Sequence, residues 1–265
     1  MRRLLGVALR FAFRLVPSRF LPSLIGLLSY GLRVTSHKQT ESGVQSRELL
    51  KLLLATDNHL YKLISEAAVR YGDGIHPKHR LTHYHDFFVK NIEAGETVLD
   101  IGCGIGLVAH DIALLSGADD VVGMDMSTDS IEFAKARCEQ PNLHFVVGKA
   151  PEAIPERHFD VVVLSNVLEH MDRRREFLQE IVRRVKPKKL LIRVPLFERD
   201  WRVPLKKELG INYFSDPTHC VEYTQEQFFE EVGGAGLRVD RYQVRWGEMW
   251  AVCIPRVAAG VSGEV

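Results

Sequence analysis

The run Thr97-Val98-Leu99-Asp100-Ile101-Gly102-Cys103-Gly104-Ile105-Gly106 constrains this chain more than any other. It reads as a short buried strand, an acid, and three alternating glycines that open a helix. A strand ending in a glycine turn is how an open α/β sheet builds a nucleotide pocket. Glycine bends sharply there and lets a ligand approach the backbone. The dinucleotide fingerprint G-x-G-x-x-G fails: counted from Gly102, its third glycine falls on Leu107. That counts against a nicotinamide-dependent oxidoreductase.

Asp100 narrows the ligand further. A carboxylate just before the loop repels a pyrophosphate, whereas phosphate sites present bare N–H groups and helix N-termini. The pocket suits a nucleoside that carries positive charge and no phosphate. S-adenosylmethionine has an ammonium, a sulfonium and an adenosine. A second acid, Asp125, ends the run Val121-Val122-Gly123-Met124 and lies 19 residues past Gly106. That is close to the roughly 20 expected for an acid that accepts from ribose hydroxyls.

Two further runs complete a pattern: Phe159 to His170, and Asp216-Pro217-Thr218-His219 followed by a helix and a turn at Gly233 to Gly236. With Val98 to Gly106 and Val122 to Ser127, they span residues 75 to 254 in order. In these four elements the chain resembles the class I S-adenosylmethionine-dependent methyltransferases. The resemblance implies methyl transfer, with S-adenosyl-L-methionine as cofactor. It also implies a set of cofactor-binding positions. They are Asp100, Gly102, Cys103, Gly104 and Gly106 in the loop, Asp125 and Met126 after the second strand, Ala150 after the third, and Ser165 and Asn166 after the fourth. In such enzymes the helix before the first strand covers the methionine end, which gives Arg80 the cofactor carboxylate and Tyr84 the role of a cover. One position departs. Similar enzymes carry Asp where this chain has Lys149, and lysine cannot accept a bond from adenine. Lys149 is the feature that favours a rival reading, a non-catalytic subunit that keeps the fold.

The expected fold is α/β: a Rossmann-like, mostly parallel sheet with helices on both faces and a C-terminal antiparallel hairpin. Strands are predicted at 98–101, 120–124, 143–147, 160–164 and 189–194, and helices at 107–116, 128–138, 172–185 and 225–233. Such alternation means right-handed crossovers and parallel strands. Thr224 and Gln227 form a capping-box start for the last helix. Runs 237–244 and 249–254, joined near Gly247, pair directly and so antiparallel. The expected domains are a basic N-terminal segment 1–40, a helical cap 41–74, the methyltransferase domain 75–255 with an insertion 195–223, and a tail 256–265.

Candidate acceptor groups lie at strand ends and in that insertion. His170 follows the fourth strand, and its ordinary pKa near 6.5 suits a base. The insertion holds Trp201, Tyr213, Phe214 and Tyr223 beside Asp216 and His219. Asp216 orienting the His219 imidazole makes a base for a hydroxyl acceptor; good turn chemistry explains Asp-Pro-Thr equally well. The expected acceptor is therefore a small, lipid-linked or glycan-type molecule, methylated at oxygen.

A net charge of +1 gives no case for nucleic acid. Cys103, Cys138, Cys220 and Cys253 are far apart, so neither a disulfide framework nor a zinc motif is indicated. That points to a reducing, cytoplasmic setting. Cys103 reads as a small residue packed under the turn rather than a nucleophile. His79 and His83 are one helical turn apart, but no H-E-x-x-H arrangement follows, and no metal is expected. Residues 1–40 contain seven Lys or Arg and no acid. From Leu4 to Val16 they form a basic amphipathic helix stopped by Pro17. Three readings stay open for it: a membrane-interface helix, a cleavable organellar presequence, or a lid with solvated arginines.

Overall fold

The computed structural model describes residues 43–256. The basic segment 1–40 and the tail beyond Arg256 lie outside the described residues. The chain divides between Tyr61 and Lys62 into two compact units. The division falls inside α1 (Gly43–Tyr71), the helix expected from its leucine-rich pattern.

The second unit holds the sheet. After α2 (Lys78–Thr82) and α3 (His85–Lys90) come β1 (Thr97–Ile101), α4 (Leu107–Leu115), β2 (Asp120–Asp125), α5 (Thr128–Arg137), β3 (Leu143–Val147) and β4 (Val161–Ser165). A 3-10 turn at Leu168–His170 leads to α6 (Arg174–Val185) and β5 (Lys189–Pro195). Then follow a second 3-10 turn (Phe197–Arg199), α7 (Arg202–Glu208), α8 (Gln225–Gly234), β6 (Leu237–Arg245) and β7 (Glu248–Pro255). The strand order is β3-β2-β1-β4-β5-β7-β6. The first five strands are parallel, and β7 runs antiparallel to both β5 and β6. This is the expected Rossmann-like sheet with its terminal hairpin. The last strand inserts between β5 and β6, which leaves β6 at the edge and mostly exposed.

Both faces are covered, and the strands say why. In β4, Val161 and Val163 join one apolar cluster while Val162 and Leu164 join the other. That alternation is the period of a strand. One cluster packs Phe177, Leu178 and Ile181 of α6 and Phe228 of α8; the other packs Phe88 of α3 and Ile112 of α4. Phe88, Phe159 and Phe228 are wholly buried, each contributing about 1.5–3 kcal/mol. The capping box at Thr224 and Gln227 forms as expected.

Two local readings need correction. Arg80 and Tyr84 were expected on one helix before the first strand, but His83 adopts φ 53° and separates α2 from α3. Within 195–223 a loop was expected, but α7 forms around Pro204. That proline sits in the first turn, where its missing N–H has no intrahelical partner to lose.

The chain runs outward from β1 through β2 to β3, then returns to place β4 on the other side of β1. Ligands in open α/β sheets bind outside the carboxyl ends at that reversal. The glycine loop after β1 and the turn after β4 both end there.

Candidate functional site

The loop after β1 is set by sterics. Gly102, Gly104 and Gly106 all have positive φ, at 71°, 53° and 80°. A Cβ on Gly106 would lie 2.6 Å from the Phe145 ring and 2.9 Å from Ala134, and one on Gly102 would lie 2.7 Å from Val167. Nothing lies within 4 Å of the corresponding position at Gly104. Two glycines let the loop lie close on the sheet, and the middle one faces open space. The N–H groups of Gly102 and Cys103 both donate to the Met124 carbonyl, which ties the loop to β2.

Asp125 ends β2 beside that loop. Its Oδ2 accepts from Gly104 N at 2.9 Å and its Oδ1 from Ser127 N at 2.8 Å. Ser127 in turn caps α5 by accepting from Ser130 N. Backbone donors thus hold the carboxylate in place and leave lone pairs for a diol. Met126 next to it is 72% exposed, at the lip. The loop after β3 is tied to the same strand, Gly148 N donating to the Asp125 carbonyl; beyond it Lys149 is exposed and Ala150 half-buried.

Asp100 is 1% exposed, and neither carboxylate oxygen has a partner. Burial, and then the charge of Asp125, push its carboxyl up to about 8. An unpaired buried carboxylate is costly unless a cation meets it. Burial also raises the Cys103 thiol, so no thiolate nucleophile is available.

On the other side of β1, β4 ends at Ser165, and Asn166 turns the chain with φ 58°. Asn166 Nδ2 donates to Glu169 Oε1 at 2.7 Å. Glu169 is fully buried; its Oε2 and the Asn166 Oδ1 have no partner. Burial raises the Glu169 carboxyl to about 7. The His170 and His219 rings meet edge to face, with centroids 4.6 Å apart. His170 Nδ1 lies 2.8 Å from Thr218 Oγ1, and that hydroxyl donates to Asp216. His219 Nδ1 lies 3.1 Å from Glu222 Oε1. Burial alone would raise Glu222, but the bonds from His219 and Ser215 hold it low. The side-chain partner of His219 is therefore Glu222 rather than the expected Asp216, which reaches His170 through Thr218.

Arg80 is exposed on α2, while Tyr84 is buried at 3%. The break at His83 separates the pair that was expected to share a helix face. Tyr84 OH is 2.8 Å from His79 Nδ1, His79 is 2.9 Å from His85 Nε2, and His85 Nδ1 meets Asp111 at 2.6 Å. Burial, then His85, lowers His79 to about 3. His79 belongs to this chain of bonds, and His83 is exposed.

Sequence reasoning missed Arg193, Glu248 and Glu222. Arg193, 3% exposed near the end of β5, stacks its guanidinium 3.7 Å from the Tyr84 ring centre. It donates through Nε to Glu248 at 2.7 Å and through Nη1 to Ser165 Oγ at 3.2 Å. The signal was there: Arg193 interrupts the apolar run Leu190-Leu191-Ile192 just where a strand end meets the pocket.

A family model described as a methyltransferase domain matches residues 98–188, from the glycine loop through α6. Over that stretch lie Asp100, the three glycines, Asp125 and the turn after β4. Residues 98–188 thus carry a methyltransferase domain. Among solved structures, a chain of the complex between the Haloferax volcanii Trm112 methyltransferase activator and a putative methyltransferase superposes with this chain at a TM-score of 0.56. Its identity is 18%, over 68% of this chain and 92% of that one. The small RNA methyltransferase HEN1 superposes at 0.54 with 19% identity, over 67% of this chain and 25% of that one. The [4+2]-cyclase SpnF reaches 0.50 at 16% identity, over 66% and 82%. A cyclase with this architecture shows that these likenesses establish the fold alone.

Among curated relatives, the ribosomal protein L11 methyltransferase of Burkholderia vietnamiensis is 35% identical over 109 residues, 40% of this chain and 35% of that protein. That of Paraburkholderia xenovorans is 34% identical over 120 residues, 44% of this chain and 39% of that protein. The chain spans little more than a third of the length of these relatives. They overturn the expectation of a small, lipid-linked or glycan acceptor with no nucleic acid involved, because they are named for a ribosomal protein. Net charge and aromatic loops describe a surface, and they carried too little chemistry to choose an acceptor. Among the described residues, no helix is long and apolar enough to cross a membrane.

The donors and acceptors at the strand ends fit S-adenosylmethionine. Asp100 offers an unpaired carboxyl, Asp125 a braced acceptor, and Gly104 an open backbone face.

Proposed function

We propose that this protein transfers a methyl group from S-adenosylmethionine to a protein-borne acceptor that enters beside His170 and His219. One observation carries the cofactor half: the buried, unpartnered carboxylate of Asp100 beside a glycine loop with no basic side chain of its own. A dinucleotide brings negative charge to that loop, whereas S-adenosylmethionine brings positive charge. Asp125 suits the ribose hydroxyls, Met126 the adenine edge, and Ser165 and Asn166 the methionyl ammonium. The names of the curated relatives support a protein acceptor.

The sulfonium of the bound cofactor makes its methyl group ready to leave, so the protein's task is alignment, which accelerates greatly by itself. Arg193 braces Tyr84 and Ser165 from opposite sides of the pocket mouth. His170 and His219 face the acceptor, and Asp216 is a positioning residue that acts on His170 through Thr218.

The test uses methyl-labelled S-adenosylmethionine with purified full-length protein and a cell extract. Label in the precipitated protein fraction is the expected result. Label confined to organic or aqueous metabolite fractions removes the protein acceptor. No cofactor binding at high micromolar concentration removes the methyltransferase reading and leaves the non-catalytic subunit.

A further inference from the structure

Glu169, His170 and His219 each place one ligating atom within 4.8 Å of the others. The cluster joins the turn after β4 to the loop before α8, 49 residues further along the chain. It lies outside the cofactor loop. We propose that these three side chains bind a divalent first-row transition-metal ion at the acceptor mouth.

Three independent features converge on it. First, Glu169 Oε2 is buried without a partner, while Asn166 bonds the other oxygen. A buried carboxylate oxygen with an idle lone pair calls for a donor or a cation. Second, each imidazole is already oriented through Nδ1. Thr218 gives its own proton to Asp216, so it accepts from His170 Nδ1; Glu222 accepts from His219 Nδ1. With the proton held at Nδ1 for these acceptors, Nε2 of each ring is the nitrogen free to ligate. Metal-binding histidines are oriented in just this way, by an outer carboxylate or hydroxyl on the second nitrogen. Third, the outer partner is itself fixed. Glu222 is held by Arg199 and by the Ser215 N–H and hydroxyl, so the His219 ring has a rigid backing. The Cys220 N–H donates to the Glu169 carbonyl at 2.7 Å and locks the two segments together.

The donor set names the class of ion. Two imidazole nitrogens and one carboxylate oxygen suit Mn, Fe, Co or Zn, whereas Mg and Ca prefer oxygen throughout. Three protein ligands leave open positions, as in catalytic rather than structural sites. The ion's use rests on the methyl-transfer reading: it would draw in the acceptor's oxygen or nitrogen and fix its approach. Its binding does not rest on that reading.

The experiment titrates Co²⁺ into tag-free, chelator-treated full-length protein with no cofactor or acceptor present, and follows visible absorption and calorimetry. The expected result is one Co²⁺ per chain at low micromolar Kd or tighter, weakened at least tenfold in His219→Ala and in His170→Asn. His83→Ala, at an exposed histidine elsewhere, serves as the control and keeps wild-type affinity. Glu169→Gln tests the buried oxygen directly, and exposed His170 supplies a variant that folds even where that one does not. Wild-type binding no tighter than that of His170→Asn, or loss in the His83→Ala control of equal size, overturns the proposal. S-adenosylmethionine binding measured on the same samples separates its failure from failure of the methyltransferase reading.

Discussion

The two halves of this pocket are built differently. On the cofactor side, β1 and β2 end side by side, and the glycine loop and Asp125 lie within a few residues of those ends. Backbone N–H groups hold Asp125, and three glycines with positive φ turn the loop. On the acceptor side, Glu169 and His170 meet His219 and Glu222 across some 50 residues of chain, through side-chain contacts and one backbone bond from Cys220 N to the Glu169 carbonyl. Each half buries one carboxylate with idle oxygens, Asp100 and Glu169. Local backbone geometry sets much of the first half. The second needs the loop before α8 brought against the turn after β4.

Arg193 belongs to both halves, so removing it produces the largest expected effect. It bonds Ser165 from β4, stacks on Tyr84 of the covering segment, and pairs with Glu248 of β7. Arg193→Ala leaves Glu248 short of its main partner in a largely buried setting, which costs about 3–5 kcal/mol. Denaturant unfolding reads it. A loss under about 1 kcal/mol would mean that the halves are not joined through this side chain, because that is the range of exposed ion pairs.

Asp125→Ala separates the halves instead. It removes the ribose acceptor and frees Gly104 N, so S-adenosylmethionine affinity should fall by about ten- to a hundredfold, in line with a lost charged hydrogen bond. The Co²⁺ titration should not change. Unaltered cofactor affinity, by calorimetry, would sink the assignment of the ribose to β2.

This contrast also explains what could be read without a structure. The parallel strands, the hairpin and the loop were legible because alternating Val and Leu and spaced glycines carry local information. The capping box at Thr224 was legible for the same reason. Glu222 was not: nothing near it in the chain marks a carboxylate that orients a ring, and Asp216, closer to a recognisable turn, attracted that role. Arg80 and Tyr84 looked like neighbours on one helix, and a single left-handed residue, His83, separates them. The acceptor was misread for a related reason, since aromatics in an insertion report burial as readily as binding. In this structure Tyr223 is core, while Trp201 is 70% exposed.

The smallest effect tests the feature that carries the cofactor reading. In the free protein, burial and Asp125 hold the Asp100 carboxyl up at about 8, against 3.8 ordinarily. Between those values the folded state keeps a proton that the unfolded chain has lost. Stability therefore falls as pH rises through that window, and Asp100→Asn should flatten the slope. Binding a cation reverses the balance, because the charged carboxylate is then the favoured form. At pH 6.5 the free protein holds the proton and the complex does not, so S-adenosylmethionine binding should release close to one proton. Calorimetry in buffers of different ionisation enthalpy counts it. Asp100→Asn should bind more weakly and release none. A wild-type protein that binds without proton release would show that Asp100 is already charged, or that the ammonium lies elsewhere. Either outcome would remove the proton linkage that ties Asp100 to the cofactor.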